Sequence, residues 1–136
     1  MVQLHFNLPV KGDRLSYRDL PHIQILKRAS QKPPFETVYE ARGTLARLRG
    51  LLFESQIPDG HALWISNCNS VHTFGMTYPI YVAFLNRDLR IIKLFEGLKP
   101  NRISPVVWGA KSVLEFIRPK SGVLPIQEGE ELYVVS

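Results

Sequence analysis

A continuous apolar segment that ends in a tight turn is the feature that most constrains the fold. Residues 79–85 are almost entirely apolar, which is typical of a strand covered on both faces. Pro79 fits only the start of such a strand, because proline has no amide hydrogen for the ladder. Asn86 to Asp88 is short enough for a hairpin loop, and residues 89–95 form a β-branched return strand. The sequence therefore predicts a buried hairpin inside a β domain.

Other short apolar segments are separated by turn residues along most of the chain, which contains 9 glycines and 10 prolines. They predict strands at residues 3–8, 23–26, 62–66, 112–117 and 131–135. Only residues 44–50 favour a helix, with Thr44 as its cap and Gly50 as its stop. The pattern predicts a mainly-β fold: an antiparallel sandwich or partial barrel with one short helix near residues 44–50.

The length of 136 residues indicates one compact domain with a genuine core. Gln31 to Pro34 is expected to separate an N-terminal extension, residues 1–40, from a β-sandwich domain at residues 42–136, because proline interrupts helices and central strands. Residues 1–50 carry nine Lys/Arg and four Asp/Glu, whereas the remainder is balanced. The basic excess suggests either nucleic-acid association through residues 1–50 or a solvated surface.

The sequence contains few features that indicate a cellular compartment. Cys68 is the only cysteine, so an intramolecular disulfide is impossible. No apolar run reaches the roughly 18 residues that a membrane span requires. The first residues lack the apolar core of a secretory signal, although a signal removed by processing would leave no trace. We expect a cytoplasmic protein without a membrane span.

An ordered set of short motifs resembles the domain-of-unknown-function 192 family over about residues 42–135. The resemblance implies a jelly-roll-like β-sandwich with a short helix before its first core strand. It implies no catalytic residues, since none are established for the family. The motifs are Arg49-Gly50-Leu51-Leu52, Trp64, Cys68, His72-Thr73-Phe74-Gly75-Met76, Pro79-Ile80, Val82, Phe84-Leu85, Arg90-Ile91-Ile92, Ala110 and Val113-Leu114-Glu115.

Two positions depart from the pattern of that family. Tyr81 stands where the family commonly has an aspartate after Pro-Ile, and Asn86 stands where it commonly has an aspartate before the hairpin turn. If the first aspartate binds a metal or a polar ligand, this chain lacks that function. An activity that depends on the acidic form is therefore not expected here.

Cys68, His72 and Met76 are spaced four residues apart and offer a thiolate, an imidazole and a thioether. This set suits a soft metal such as copper(I), but a blue-copper site also needs a second histidine. Cys68 and His72 could instead be a nucleophile and its base, oriented by Asn67 or Asn69. The alternative is structural: a buried thiol, a hydrogen-bonded imidazole and a packed methionine.

Glu115 lies among apolar residues, so it either points into a pocket beside His72 or alternates onto the outer face of its strand. The aromatic residues Phe74, Tyr78, Tyr81, Trp64 and Trp108 could form a binding surface or pack in the core.

These residues lead to one main hypothesis, a non-enzymatic binding module for a small polar ligand or peptide. Its predicted cleft is formed by Trp64, Asn67, Cys68, His72, Met76, Tyr81 and Glu115. We expect no cofactor and no bound metal, and we assign no catalytic residue. The alternatives are a metal- or thiol-dependent enzyme that uses Cys68 and His72, and nucleic-acid association through the basic N-terminal region.

Overall fold

The computed structural model describes residues 17–41 and 56–135. A mainly-β fold is confirmed, since the described residues form seven strands and a single 3-10 turn, Tyr17–Asp19. The predicted strand at residues 3–8 and the predicted helix at residues 44–50 lie outside the described residues. The strands are β1 His22–Lys27, β2 Thr37–Ala41, β3 His61–Ser66, β4 Ile80–Leu85, β5 Ile91–Leu98, β6 Ser112–Phe116 and β7 Leu132–Val135.

The seven strands form one sheet in the order β5-β4-β6-β3-β2-β1-β7. All neighbours are antiparallel except β2 and β3, which are parallel, so the sheet is mixed rather than antiparallel as expected. A parallel pair needs a crossover of a dozen or more residues. The sequence between Ala41 and His61 is long enough for such a connection.

The sheet curls until the chain around the start of β7 approaches the chain around the start of β5. Leu132 donates its backbone N–H to Leu89 O at 2.9 Å, and Ile91 donates to Glu130 O at 2.9 Å. The sheet does not close into a barrel, because β7 is paired along its length only with β1. The curl gives the sheet an inner face, where one apolar cluster draws residues from all seven strands: Ile25, Val38, Ala62, Ala83, Leu85, Ile91, Leu114, Phe116 and Leu132.

The outer face of the central strands is buried as well. Leu63, Ile65, Val82, Phe84 and Val113 point to this face and form a second cluster. Residues from outside the sheet cover them, namely Tyr17, Ile57, Cys68, Val71, Met76 and Ala110. Burial on two faces explains why β4 and β6 are apolar nearly throughout.

The hairpin between β4 and β5 depends on Asn86. The side-chain oxygen of Asn86 accepts the N–H groups of Asp88 and Arg90, both at 3.0 Å. An amide oxygen and a carboxylate oxygen both accept hydrogen bonds. Asparagine therefore fills the role that the family aspartate would have in this turn.

The N-terminal strands belong to the sheet and are not an extension of it. β1 lies between β2 and β7, and β2 pairs with β3. Tyr17 packs edge-on against Tyr39, with ring centroids 5.0 Å apart. Residues 22–40, expected as part of an N-terminal extension, thus contribute β1 and β2 to the sheet, and Gln31 to Pro34 lie in the β1–β2 connection. Within residues 17–41 and 56–135, no helix is long and apolar enough to span a membrane.

Candidate functional site

The segment with the cysteine, histidine and methionine folds as a loop paired with a second loop. We refer to residues 67–76 and 99–111 as the paired loops. His72 and Ile103 form an isolated antiparallel bridge. Backbone hydrogen bonds continue the pairing on both sides of this bridge, from Cys68 N to Lys111 O, Val107 N to Asn69 O, Ser104 N to Val71 O and Thr73 N to Arg102 O.

Buried hydroxyl groups fasten the paired loops to each other. Ser70 Oγ donates to Ser104 O at 3.1 Å, and Val71 N donates to Ser104 Oγ at 3.0 Å. Thr73 Oγ1 donates to Lys99 O and accepts from Arg102 N at 2.9 Å. These buried polar groups are satisfied by long-range partners, which fixes the two backbones relative to each other.

Cys68 is buried within this arrangement. Its side chain is 1% exposed, and its thiol donates to Ser70 O at 3.1 Å. A thiolate has no proton to donate, so this hydrogen bond stabilises the uncharged thiol. Burial and this bond both disfavour a nucleophilic thiolate, and they therefore weaken the thiol-enzyme hypothesis.

His72 is oriented by the loop that contains it. Its Nδ1 accepts the N–H of Phe74 at 3.3 Å, and its ring lies 5.4 Å from the Phe74 ring. Burial lowers the pKa of His72, which favours the neutral imidazole. No group of three His, Cys, Asp or Glu side chains suited to a metal ion occurs within residues 17–41 and 56–135.

Glu115 occupies the outer face beneath the cover. It lies opposite Leu63 on β3 and Val82 on β4, and it is 6% exposed. Alternation on β6 is as expected, with Leu114 and Phe116 on the inner face. The carboxyl lies among apolar neighbours, and burial raises its pKa to about 7.

The seven residues predicted to line one cleft do not converge. Trp64 and Tyr81 pack against the inner cluster, and the Tyr81 ring lies 5.5 Å from Phe116. Cys68 and Met76 pack in the outer cluster, on the face to which Glu115 points. The sheet separates these two groups, while Asn67 is exposed with a φ of 53°. The seven residues therefore do not share one face of the sheet.

Large apolar side chains project from the paired loops into solvent, and two of them, Phe74 and Trp108, are among the aromatic residues for which the sequence left a binding surface open. The sequence signal was Trp108, in an irregular segment rich in proline and glycine. The exposed fractions are 88% for Trp108, 54% for Ile103, 39% for Phe74 and 38% for Val106.

A separate cleft of about 210 Å³ opens where β3 begins and β6 ends. Its lining includes Phe35, Phe116, Asp59 and His61. None of the seven predicted residues lines it. Sequence patterns did not indicate this cleft, because its residues come from three separate segments of the chain.

Fold and sequence together place the chain in a family. The model of the DUF192 family, described as Uncharacterized ACR, matches residues 25–134. The protein belongs to this family, as the motifs from Trp64 to Glu115 indicated. The match also includes half of β1 and all of β2, in agreement with the sheet.

Solved structures share the fold. One is a protein of unknown function from Novosphingobium aromaticivorans DSM 12444, with a TM-score of 0.66 and 16% identity over 82% of this chain and 83% of that chain. Another is a "putative transcription regulator" from Sinorhizobium meliloti 1021, with a TM-score of 0.66 and 18% identity over 83% of this chain and 92% of that chain. At these identities the likeness establishes the fold alone. No curated protein matches the chain.

Proposed function

We propose that this protein is a non-enzymatic binding module that recognises an acidic peptide segment of a partner protein on the paired loops. One observation carries the proposal. Seven large apolar side chains are exposed among the described residues, and four of them are Phe74, Ile103, Val106 and Trp108 of the paired loops. Single exposed apolar residues are ordinary, but a concentration of them marks interaction surfaces.

Trp108 is the expected anchor of this surface. Tryptophan is enriched among the residues that dominate binding energy at interfaces, because it buries a large rigid area. The following residue, Gly109, has a φ of 88°, a conformation that favours glycine. This turn is fixed by the hydrogen bond from Ala110 N to Val107 O at 3.1 Å. The position of Trp108 on the surface therefore follows from an ordered turn.

The framework under the surface supports binding without a large ordering cost. The bonds of Ser70, Thr73 and Ser104 fix the two backbones before a ligand arrives. A preorganised surface loses less conformational entropy on association. His72 adds an uncharged ring that lies against Phe74.

The charge of the paired loops selects the partner. Lys99, Arg102 and Lys111 are exposed, and the two loop segments contain no aspartate or glutamate. A positive surface attracts an acidic partner and repels a basic one. The complementary ligand is a peptide in which acidic residues flank an apolar side chain.

A peptide array sorted by charge tests the proposal. Wild-type protein should retain acidic peptides that contain an apolar residue, and Trp108→Ala should reduce retention at least about tenfold, which corresponds to about 1.4 kcal/mol. Val134→Ala removes another exposed apolar side chain and should leave retention unchanged.

Two results would overturn the proposal. One is equal retention of basic and acidic peptides, and the other is unchanged retention by Trp108→Ala. A single-stranded oligonucleotide is probed in parallel, because aromatic and basic residues also bind nucleic acid. Trp108-dependent binding of the oligonucleotide with no retention of peptides would replace the peptide with a nucleic acid.

A further inference from the structure

The cleft where β3 begins and β6 ends has the features of a small-molecule site. We refer to it as the proline-lined cleft, since Pro34, Pro119 and Pro125 line it. Proline fixes the backbone φ, so these walls are held in place without a ligand. A volume of about 210 Å³ lies below the range of drug-sized sites and suits a ligand with one ring.

An aromatic row forms the inner wall of this cleft. Phe35 and Phe116 line the cleft with ring centroids 5.1 Å apart, and Tyr81 lies behind Phe116 at 5.5 Å. Phe35 and Phe116 are buried, so their rings are fixed by packing. A fixed aromatic wall favours a flat ring, through apolar burial and through offset or edge contacts.

The rim of the cleft carries a negative charge. Asp59 lines the cleft, and its two carboxylate oxygens each accept the N–H of Lys120 at 3.4 Å. These bonds are long, and a carboxylate accepts more than two hydrogen bonds. The described lining contains no lysine or arginine side chain. The charge at this rim therefore favours a cation and disfavours an anion.

His61 adds a second polar group at a fixed position. A hydrogen bond of 2.9 Å joins His61 Nδ1 to the hydroxyl of Tyr39. Burial, followed by the neighbouring Tyr17, raises the pKa of Tyr39, so the phenol remains protonated. Because this bond orients the imidazole, His61 can contribute to specificity at little entropic cost.

From this geometry we infer that the proline-lined cleft binds a small aromatic ligand with a cationic nitrogen. The ring lies against Phe35 and Phe116, and the nitrogen lies at Asp59. This site shares no residue with the paired loops, and it selects the opposite charge. The inference therefore stands independently of the proposed peptide-binding function.

Three small probes separate the contributions of ring and charge. Benzamidine has both, benzoate has the ring with a negative charge, and methylguanidine has the positive charge without a ring. We expect saturable NMR shifts of the Gly60 and Ser121 amides with benzamidine, and at least about tenfold weaker binding of the other two probes. Equal binding of benzoate, or no saturable shift with benzamidine, would overturn the inference.

Matched variants test the residues. Asp59→Asn should weaken benzamidine binding at least about tenfold, while Asp88→Asn in the exposed hairpin should leave it unchanged. Val123 lines the cleft and is exposed, so Val123→Lys places a repelling charge at the rim without a packing change.

Val134→Lys on β7 adds the same charge elsewhere and serves as the control. Benzamidine binding that responds equally to Val123→Lys and Val134→Lys would show a general charge effect and would contradict a site at the cleft.

Discussion

The inner and outer faces of the sheet are equally buried at β6 but differ in chemistry. Leu114 and Glu115 are neighbours in the same strand, and both are buried. Leu114 faces an inner cluster to which every strand contributes. Glu115 faces the outer cluster, between Leu63 and Val82. Burial alone therefore does not define the role of a face, since the inner cluster consists mainly of strand residues and the outer face is covered by loops.

The origin of the two covers explains the difference. Strand residues form most of the inner cluster, together with Phe35 and Ile126 from connections, and the backbone hydrogen bonds of the strands are made within the sheet. The outer cluster is enclosed partly by the paired loops, which depend on the hydroxyl groups of Ser70, Thr73 and Ser104. A carboxyl beneath such a cover lies in a low-dielectric environment, which favours its protonated form.

Leu114→Ala should have the largest effect on stability. The substitution leaves a cavity in the inner cluster, and buried Leu→Ala changes cost about 2–5 kcal/mol. We expect a loss of about 3 kcal/mol in the free energy of unfolding, measured by urea denaturation. The exposed control Val134→Ala should change it by less than about 0.5 kcal/mol. A loss below about 1 kcal/mol for Leu114→Ala would show that the inner face is not the tighter core.

Glu115 should make the free energy of unfolding depend on pH, with an effect similar to or slightly smaller than that of Leu114→Ala. Its folded pKa of about 7 lies above the ordinary value of 4.5. The protonated Glu115 carboxyl stabilises the folded protein. This contribution is fully present below pH 4.5 and is lost as the pH rises to about 7. Since one pKa unit corresponds to about 1.4 kcal/mol, the total loss is on the order of 3 kcal/mol.

Urea denaturation of Glu115→Gln between pH 4 and 8 measures the contribution of this carboxyl to the free energy of unfolding. The variant should lack most of the loss of stability that wild type shows as the pH rises. Above pH 7 it should be more stable than wild type by on the order of 2 kcal/mol. Glu96→Gln changes an exposed carboxyl on β5 and should follow the wild-type profile. Identical profiles for wild type and Glu115→Gln would mean that the Glu115 carboxyl is solvated, and the contrast between the two faces would be lost.

Local patterns predicted much of the fold, because they depend on neighbours in sequence. The alternation of Leu114, Glu115 and Phe116 predicted their faces, and the apolar run to Leu85 predicted a strand buried on both sides. The parallel β2–β3 pair was not predicted, since strand order depends on the crossover between Ala41 and His61. The burial of Glu115 was missed, because its cover comes from loops distant in sequence.

The candidate site was predicted less well for the same reason. Trp64, Tyr81 and Glu115 were placed together, although facing residues on separate strands can be assigned only when the register is known. Leu63, and not Trp64, lies opposite Glu115, and Tyr81 lies opposite Phe116. A shift of one residue in register moves a side chain to the other face. Proximity in sequence correctly joined His72 to Phe74, whose rings are in contact.

Tyr81→Asp should have the smallest of the three effects and tests the comparison most directly. It introduces the aspartate that the family resemblance implies at this position and places a carboxylate on the inner face, beside Phe116. Tyr81 is only half-buried, so the new charge keeps partial contact with water. We expect a loss of about 1–2 kcal/mol at pH 8, because the variant loses the aromatic contact and desolvates a charge.

This loss should decrease toward pH 4, where the carboxyl becomes protonated, while Tyr81→Phe should remain within about 0.5 kcal/mol of wild type at every pH. Urea denaturation at pH 4 and pH 8 measures both variants. A pH-independent loss would assign the effect to packing alone, whereas a variant as stable as wild type would show that water reaches this end of the inner face. In either case the inner face would not exclude a carboxylate more strongly than the outer face, which already contains Glu115.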